Sequence, residues 1–284
     1  MTPGRATALG MGAILLWATL ASLTVLRGPI PPFQTTAIVF VIGGMLMVAV
    51  AALRRRVGLL RPTPASLALG VYGFFVYHAL YFAALSLAPP AEASLITALW
   101  ALLTVLFSSL LPGHRLRPAH VVGALLGFAA AAILVWDKLG AGGRLDTAPL
   151  GFALALGCAL VWSSYSVASR LLAAVPSESL AAPCLVTAAL AWLCSILFEQ
   201  WTTPPNLTSW AALVGLGLGP LGAAFLLWDI GMKHGNVPLL GVLSYAALLL
   251  STVLLVILGF ADPTWNLAIA CIMLVAAAVI ATRG

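Results

Sequence analysis

A chain of 284 residues that is 63% hydrophobic and only 7% charged cannot cover itself against water, since a soluble domain needs roughly 25% charged residues to do so. With a mean hydropathy of +1.13 it reads as a polytopic membrane protein. The net charge of +6 sits in short segments between apolar runs, which argues against a basic nucleic-acid-binding face.

Breaks at Pro, Gly and charged residues divide the sequence into ten apolar runs, near 7–27, 33–53, 66–87, 91–111, 118–136, 149–171, 178–199, 208–232, 237–259 and 264–282. Each matches the ~20 residues that cross a hydrocarbon core about 30 Å thick. Each is expected to be helical, because lipid offers no partners to backbone amides. The first run could pass for a signal peptide; its length and the absence of an A-x-A site favour a retained helix. Cys158, Cys184, Cys194 and Cys271 all fall inside apolar runs without metal-like spacing, so free thiols are expected.

Cations set the expected orientation. With the N-terminus inside, the inner segments hold Arg5, Arg54, Arg55, Arg56, Arg61, Arg115, Arg117, Arg170, Lys233 and Arg283. The outer segments hold only Arg27, Lys138 and Arg144. Ten spans then put both termini in the cytoplasm.

The chain also repeats itself. Trp17 aligns with Trp162 at an offset of 145, and Tyr81 with Trp228 at 147. SLAPPAEASL (86–95) aligns with KHGNVPLLGV (233–242), and VVGALLGFAAAAI (121–133) with AIACIMLVAAAVI (268–280), again at 147. Strings of Leu and Ala align readily, but the charges agree independently. The inner loop Arg54-Arg55-Arg56 corresponds to an outer loop that starts Glu199-Gln200. Five helices per copy is odd, so the second copy enters the membrane from the opposite side. The expected fold is therefore an all-α polytopic membrane protein of ten transmembrane helices, built as two inverted five-helix repeats, 1–137 and 138–284. Inverted repeats are common in secondary transporters, whose site lies near the midplane between the halves.

These features resemble the drug/metabolite transporter superfamily. LLWATLASLT and LVWSSYSVASRLL resemble the opening helix of EamA-type domains, and YFAALSLAPPAEASLI resembles the segment between their third and fourth helices. The resemblance covers essentially the whole chain. The Trp and Tyr content of the helices further resembles the YddG-type aromatic amino acid exporters, and export as the direction rests on this resemblance alone.

The residues that could carry transport are few. His78, in YGFFVYHALYFAAL, is an intramembrane ionisable group; it could bind a carboxylate, carry a coupling proton, or simply bond a neighbouring helix. Tyr77 and Tyr81 are four apart and share a face with which His78 is nearly aligned. Trp17 and Trp162 lie at mid-depth in their runs, away from the interfacial belt, Trp100 lies about midway along its run, and Trp228 is the repeat counterpart of Tyr81. Hydroxyl rows accompany them: Ser94, Thr97, Thr104 and Ser108 beside Trp100; Ser163, Ser166 and Ser169 beside Trp162 and Tyr165; Ser244, Tyr245, Ser251 and Thr252 on the ninth run. Lipid does not reward such rows, so these faces should point inward, as substrate lining or as helix–helix glue. Asp229 is four residues before Lys233 and suits a local ion pair; Arg170 is expected to snorkel to headgroups. Pro89, Pro90 and Pro238 mark breaks where a bundle could hinge, with Glu92 at the start of the fourth helix as a cap or gate.

A cavity of rings, hydroxyls and one His suits an amphipathic solute of low net charge, such as a zwitterionic amino acid. No Lys or Arg sits at a helix centre to receive a sugar phosphate, and no carboxylate sits there for a quaternary amine. No nucleotide-binding loop, HExxH motif or paired carboxylates appear, so neither an ATPase nor an intramembrane enzyme is expected. The expected partners are the bilayer and a small-molecule substrate, with no cofactor, metal, nucleic acid or obligate protein partner. The alternatives within transport are a drug or quaternary-amine exporter and a lipid-linked carrier flippase.

Overall fold

The structure, a computed structural model, describes residues 1–112, 116–136, 139 and 147–283. Among these residues ten helices are long and apolar enough to cross a membrane. They are α1 (Pro3–Leu26), α2 (Pro32–Leu53), α3 (Pro64–Leu87), α4 (Pro90–Leu110), α5 (Pro118–Val135), α6 (Ala148–Leu172), α7 (Ser177–Phe198), α8 (Leu207–His234), α9 (Val237–Ile257) and α10 (Trp265–Thr282). The expected runs match these helices one for one, with ends shifted by a few residues. Arg115, Lys138, Arg144 and the 137/138 boundary between halves lie outside the described residues.

The helix starts follow from local chemistry. Proline opens each of α1 to α5, where its fixed φ suits the first turn and its missing N–H would have had no partner. Thr63, Asn206, Asn236 and Thr264 cap α3, α8, α9 and α10 by accepting a first-turn N–H. Pro89 and Pro90 stand at the cap and first position of α4, and Pro238 lies in the first turn of α9.

Further interruptions fall inside the spans. α1 breaks at Ala18–Thr19, α4 at Ala98 and α9 at Ser244. π-helical turns occupy Tyr72–Val76 in α3 and Gly219–Ala223 in α8. Positions 72 and 219, and likewise 76 and 223, are 147 apart, the spacing of the sequence repeat. α6 carries no such interruption from Ala148 to Ser169.

Packing joins one half of the chain to the other. α1 packs on α8 and α9, α2 on α7 and α8, α3 on α6 and α7, α4 on α6 and α9, and α5 on α10. α1 and α8 approach at backbone distance where Gly10 meets Gly231: a Cβ on Gly231 would lie 2.8 Å from the Gly10 Cα. Small residues at such crossings gain the close contact that association within lipid depends on.

Candidate functional site

Four tryptophans, from α1, α4, α6 and α8, meet at the centre. Ring centroids are 5.0 Å apart for Trp17 and Trp228, 5.9 Å for Trp17 and Trp162, 6.2 Å for Trp17 and Trp100, 5.9 Å for Trp100 and Trp228, and 6.3 Å for Trp100 and Trp162. These separations and the mostly edge-to-face angles fall in the favourable range for aromatic pairs, ~4.5–7 Å. Trp162 and Trp228 are 5% and 1% exposed, while Trp17 and Trp100 are half-buried. Three of the helices are irregular at or near the cluster: α1 breaks just after Trp17, α4 just before Trp100, and the π turn of α8 precedes Trp228.

The four indoles differ in their hydrogen bonds. Trp17 Nε1 donates to the Pro220 carbonyl in the π turn of α8, at 3.0 Å, and Trp228 Nε1 donates to Ser166 Oγ, at 3.1 Å. Among the described residues, neither Trp100 nor Trp162 donates its N–H to a protein acceptor. Tyr77 extends the cluster, with its ring 5.1 Å from Trp162, and stacks on Tyr81 at 6.1 Å with 3° between planes. Thr97 is buried on α4, and its hydroxyl has no hydrogen-bond partner.

Of the other expected site residues, Tyr165 adjoins the cluster and several stand apart from it. His78 turns toward α2, edge-on to Phe40 at 5.2 Å, and its Nδ1 lies 2.7 Å from the Phe74 carbonyl one turn earlier on α3. Ser163 bonds the Ala159 carbonyl and Ser244 the Leu240 carbonyl, each on its own helix. Tyr245 packs on α5, where a Cβ on Gly127 would come within 2.5 Å of its ring, so it fills a helix crossing instead of the central cluster. Tyr165 lies over the π turn of α3, 5.3 Å from both Phe74 and Trp162. Glu92 sits in the first turn of α4.

Phe74 and Phe225 belong to the cluster and were not among the expected residues. Phe225 lies 5.4 Å from Trp162, 6.4 Å from Trp17 and 4.7 Å from Phe74. The available clue was position: Phe225 precedes Trp228 by three residues, and Phe74 precedes Tyr77 by three, so each pair shares a helix face.

Polar groups tie the C-terminal end of α8 to its neighbours. Lys233 pairs with Asp229 at 2.7 Å, both nearly fully buried, and also donates to the Val175 carbonyl at 2.9 Å. Arg170 does not snorkel away. Its guanidinium donates to the Met232 and Gly235 carbonyls, at 3.2 and 2.7 Å, because the C-terminus of α8 leaves carbonyls without intrahelical partners. The Asn236 N–H donates to Thr7 on α1. Among the described residues no cluster of His, Cys, Asp or Glu could hold a metal ion.

Comparison with known proteins agrees with this architecture. The profile of the EamA-like transporter family matches twice, over residues 5–136 and 149–283. The chain is 53% identical to the aromatic amino acid exporter YddG of Ancylobacter novellus, covering 99% of this chain and 98% of that protein. It is 28% identical to the proteins of the same name from Salmonella typhimurium and Escherichia coli, over 91% of this chain and 90% of each. A solved crystal structure superposes with a TM-score of 0.95 at 52% identity, covering 99% of this chain and 98% of that one. With both halves matched in this way, the chain belongs to the EamA-like transporter family and is a multi-pass membrane transporter, not an enzyme.

Proposed function

We propose that this chain exports amino acids, aromatic ones foremost, across the inner membrane by alternating access between two inverted five-helix halves, with both termini cytoplasmic. The observation that carries this reading is the tryptophan cluster: α1 and α4 of the first half and α6 and α8 of the second each contribute one indole. The likeness to exporters named for aromatic amino acids supports the substrate class. An aromatic side chain would pack among the rings at the spacing they already keep with each other. Its carboxylate would accept from the indole N–H of Trp100 and from the Thr97 hydroxyl. A quaternary amine would find the same rings through cation–π attraction, but the nearby carboxylate, Asp229, is already neutralised by Lys233.

The inverted arrangement is supported by the two π turns, 147 residues apart, and by packing in which α1 on α8 mirrors α6 on α3. The polar ties around Arg170 and Lys233 close one end. At the other end Tyr77, Tyr81 and Ser94 are half-buried, consistent with a cavity that opens there.

The test is counterflow in proteoliposomes loaded with single unlabelled amino acids, at matched pH and zero potential. Selective exchange of phenylalanine, tyrosine and tryptophan is expected. Folded protein that exchanges no amino acid would overturn the proposal and move the substrate to organic cations or lipid-linked carriers.

A further inference from the structure

The two halves are equivalent in sequence position but not in hydrogen bonding. Trp17 on α1 donates to the carbonyl of Pro220, the second residue of the π turn in α8. Trp162 is the counterpart of Trp17, and Gly73, the second residue of the π turn in α3, is the counterpart of Pro220 at an offset of 147. Yet Trp162 makes no such bond. The space over Gly73 is taken by Tyr165: a Cβ on Gly73 would lie 2.3 Å from the Tyr165 Cγ. The counterpart of Tyr165 on α1 is Leu20, at an offset of 145, and Leu20 is 40% exposed where Tyr165 is 2% exposed. The first half therefore has its indole on the second half's π turn and Leu20 turned out. The other has its aromatic on the first half's π turn and its indole N–H free.

We propose that Trp17 and Trp162 are positioning residues that exchange these roles when the transporter changes state. In the state described here Trp17 holds α1 to the π turn of α8. In the opposite state Tyr165 leaves Gly73, Trp162 donates to the Gly73 carbonyl, and Trp17 releases Pro220. A π turn widens the helical ladder, which is why a backbone carbonyl there can serve a side chain from another helix. Each bond is then made in one state only, so it sets the balance of states rather than the strength of substrate binding. The inference rests on the inverted-repeat reading given under the proposed function.

The test reads the two ends separately. Cysteine is introduced as Ser169→Cys at the closed end or Ser94→Cys at the other, with the half-buried Cys194 and Cys271 replaced by Ala. The rate of modification by a polar thiol reagent in proteoliposomes reports access. The indole of Trp17 or of Trp162 is replaced by 3-benzothienylalanine, which keeps the shape and removes only the N–H. Loss of the Trp17 donor is expected to raise Ser169→Cys labelling about five-fold, the weight of one hydrogen bond, and to lower Ser94→Cys labelling. Loss of the Trp162 donor is expected to move both the other way. Shifts of the same sign for the two isosteres, or no shift for either, would overturn the exchange. A parallel run with saturating phenylalanine separates the two ideas. If substrate moves the two labels reciprocally while the isosteres do nothing, alternating access stands and the exchange fails; if substrate moves both labels together, alternating access fails as well.

Discussion

Glu199, just past the end of α7, accepts the backbone N–H groups of Phe33 and Gln34 at 2.7 and 2.8 Å, so a carboxylate from the second half caps the first turn of α2 in the first. Gln34 completes the junction by exchanging two hydrogen bonds with Thr202, at 2.8 and 3.0 Å. Arg27 stands nearby. Burial pulls its guanidinium below the usual range and the Glu199 charge opposes that pull. Glu199→Ala removes a charged cap at a helix N-terminus and is expected to lower stability by about 1–2 kcal/mol. Thermal unfolding in detergent would read this, and an unchanged midpoint would remove the cap from the account of how α2 is held.

The Asp229–Lys233 pair gives a second prediction. Removing one member leaves the other charged and nearly fully buried, so Asp229→Ala should cost about 3–5 kcal/mol. Asp229→Leu with Lys233→Met together should recover most of that loss. If the double variant is no more stable than the single, charge pairing is not what holds this end.

Gly73 tests the seat of Tyr165. A methyl at that position meets the ring at 2.3–2.9 Å, too close to be absorbed without a shift. Gly73→Ala should lower the thermal midpoint, and Gly73→Ala with Tyr165→Leu should restore part of it. A Gly73→Ala variant with wild-type stability would mean that the α3–α6 contact yields easily.

The transport prediction concerns the cluster. Trp17→Ala, Trp100→Ala, Trp162→Ala and Trp228→Ala should each reduce exchange of phenylalanine in proteoliposomes by roughly ten-fold or more while leaving membrane insertion intact, because each truncation removes an aromatic contact worth about 0.5–1.5 kcal/mol beyond its buried area. Tyr245→Phe, on the α5 crossing, should leave exchange near wild type. If the four alanine variants all behave like wild type, substrate binds elsewhere.

His78 separates packing from proton coupling. Its Nδ1 faces its own helix and its ring faces Phe40 and Phe82, so the geometry predicts that His78→Phe keeps the pH profile of transport. A profile flattened by that substitution would make His78 the coupling group.

The spans were legible because backbone groups in lipid leave a long apolar run no choice but a helix. Trp17, Trp100 and Trp162 were legible too, as large amphipathic rings well inside their runs, and Trp228 as the repeat counterpart of Tyr81. The hydroxyl rows discriminate less. Ser163, Ser244, Thr104 and Thr252 each satisfy their hydroxyl on a carbonyl four residues back, so a polar row at helical spacing needs no facing ligand. Phe74 and Phe225 were harder to single out, because an apolar ring in an apolar run has no contrast with its neighbours and only the spacing to Tyr77 and Trp228 marks them. The break at Ala98 has no proline or glycine to announce it, whereas the π turn of α8 contains Pro220 inside the run, a mark that periodicity alone does not weigh.

The pairing of α1 with α8 and α9, of α2 with α7 and α8, and of α5 with α10 bears on biogenesis. When the ribosome has finished the fifth span, α1 and α2 have been threaded into the bilayer without the helices they will eventually embrace. They must wait there as separate rods, their facing surfaces wetted by acyl chains, until translation delivers the second half. Assembly is then a late and collective event, in which the newly arrived helices slot between older ones, and a chain interrupted near its middle would be stranded as loose helices for membrane quality control to remove.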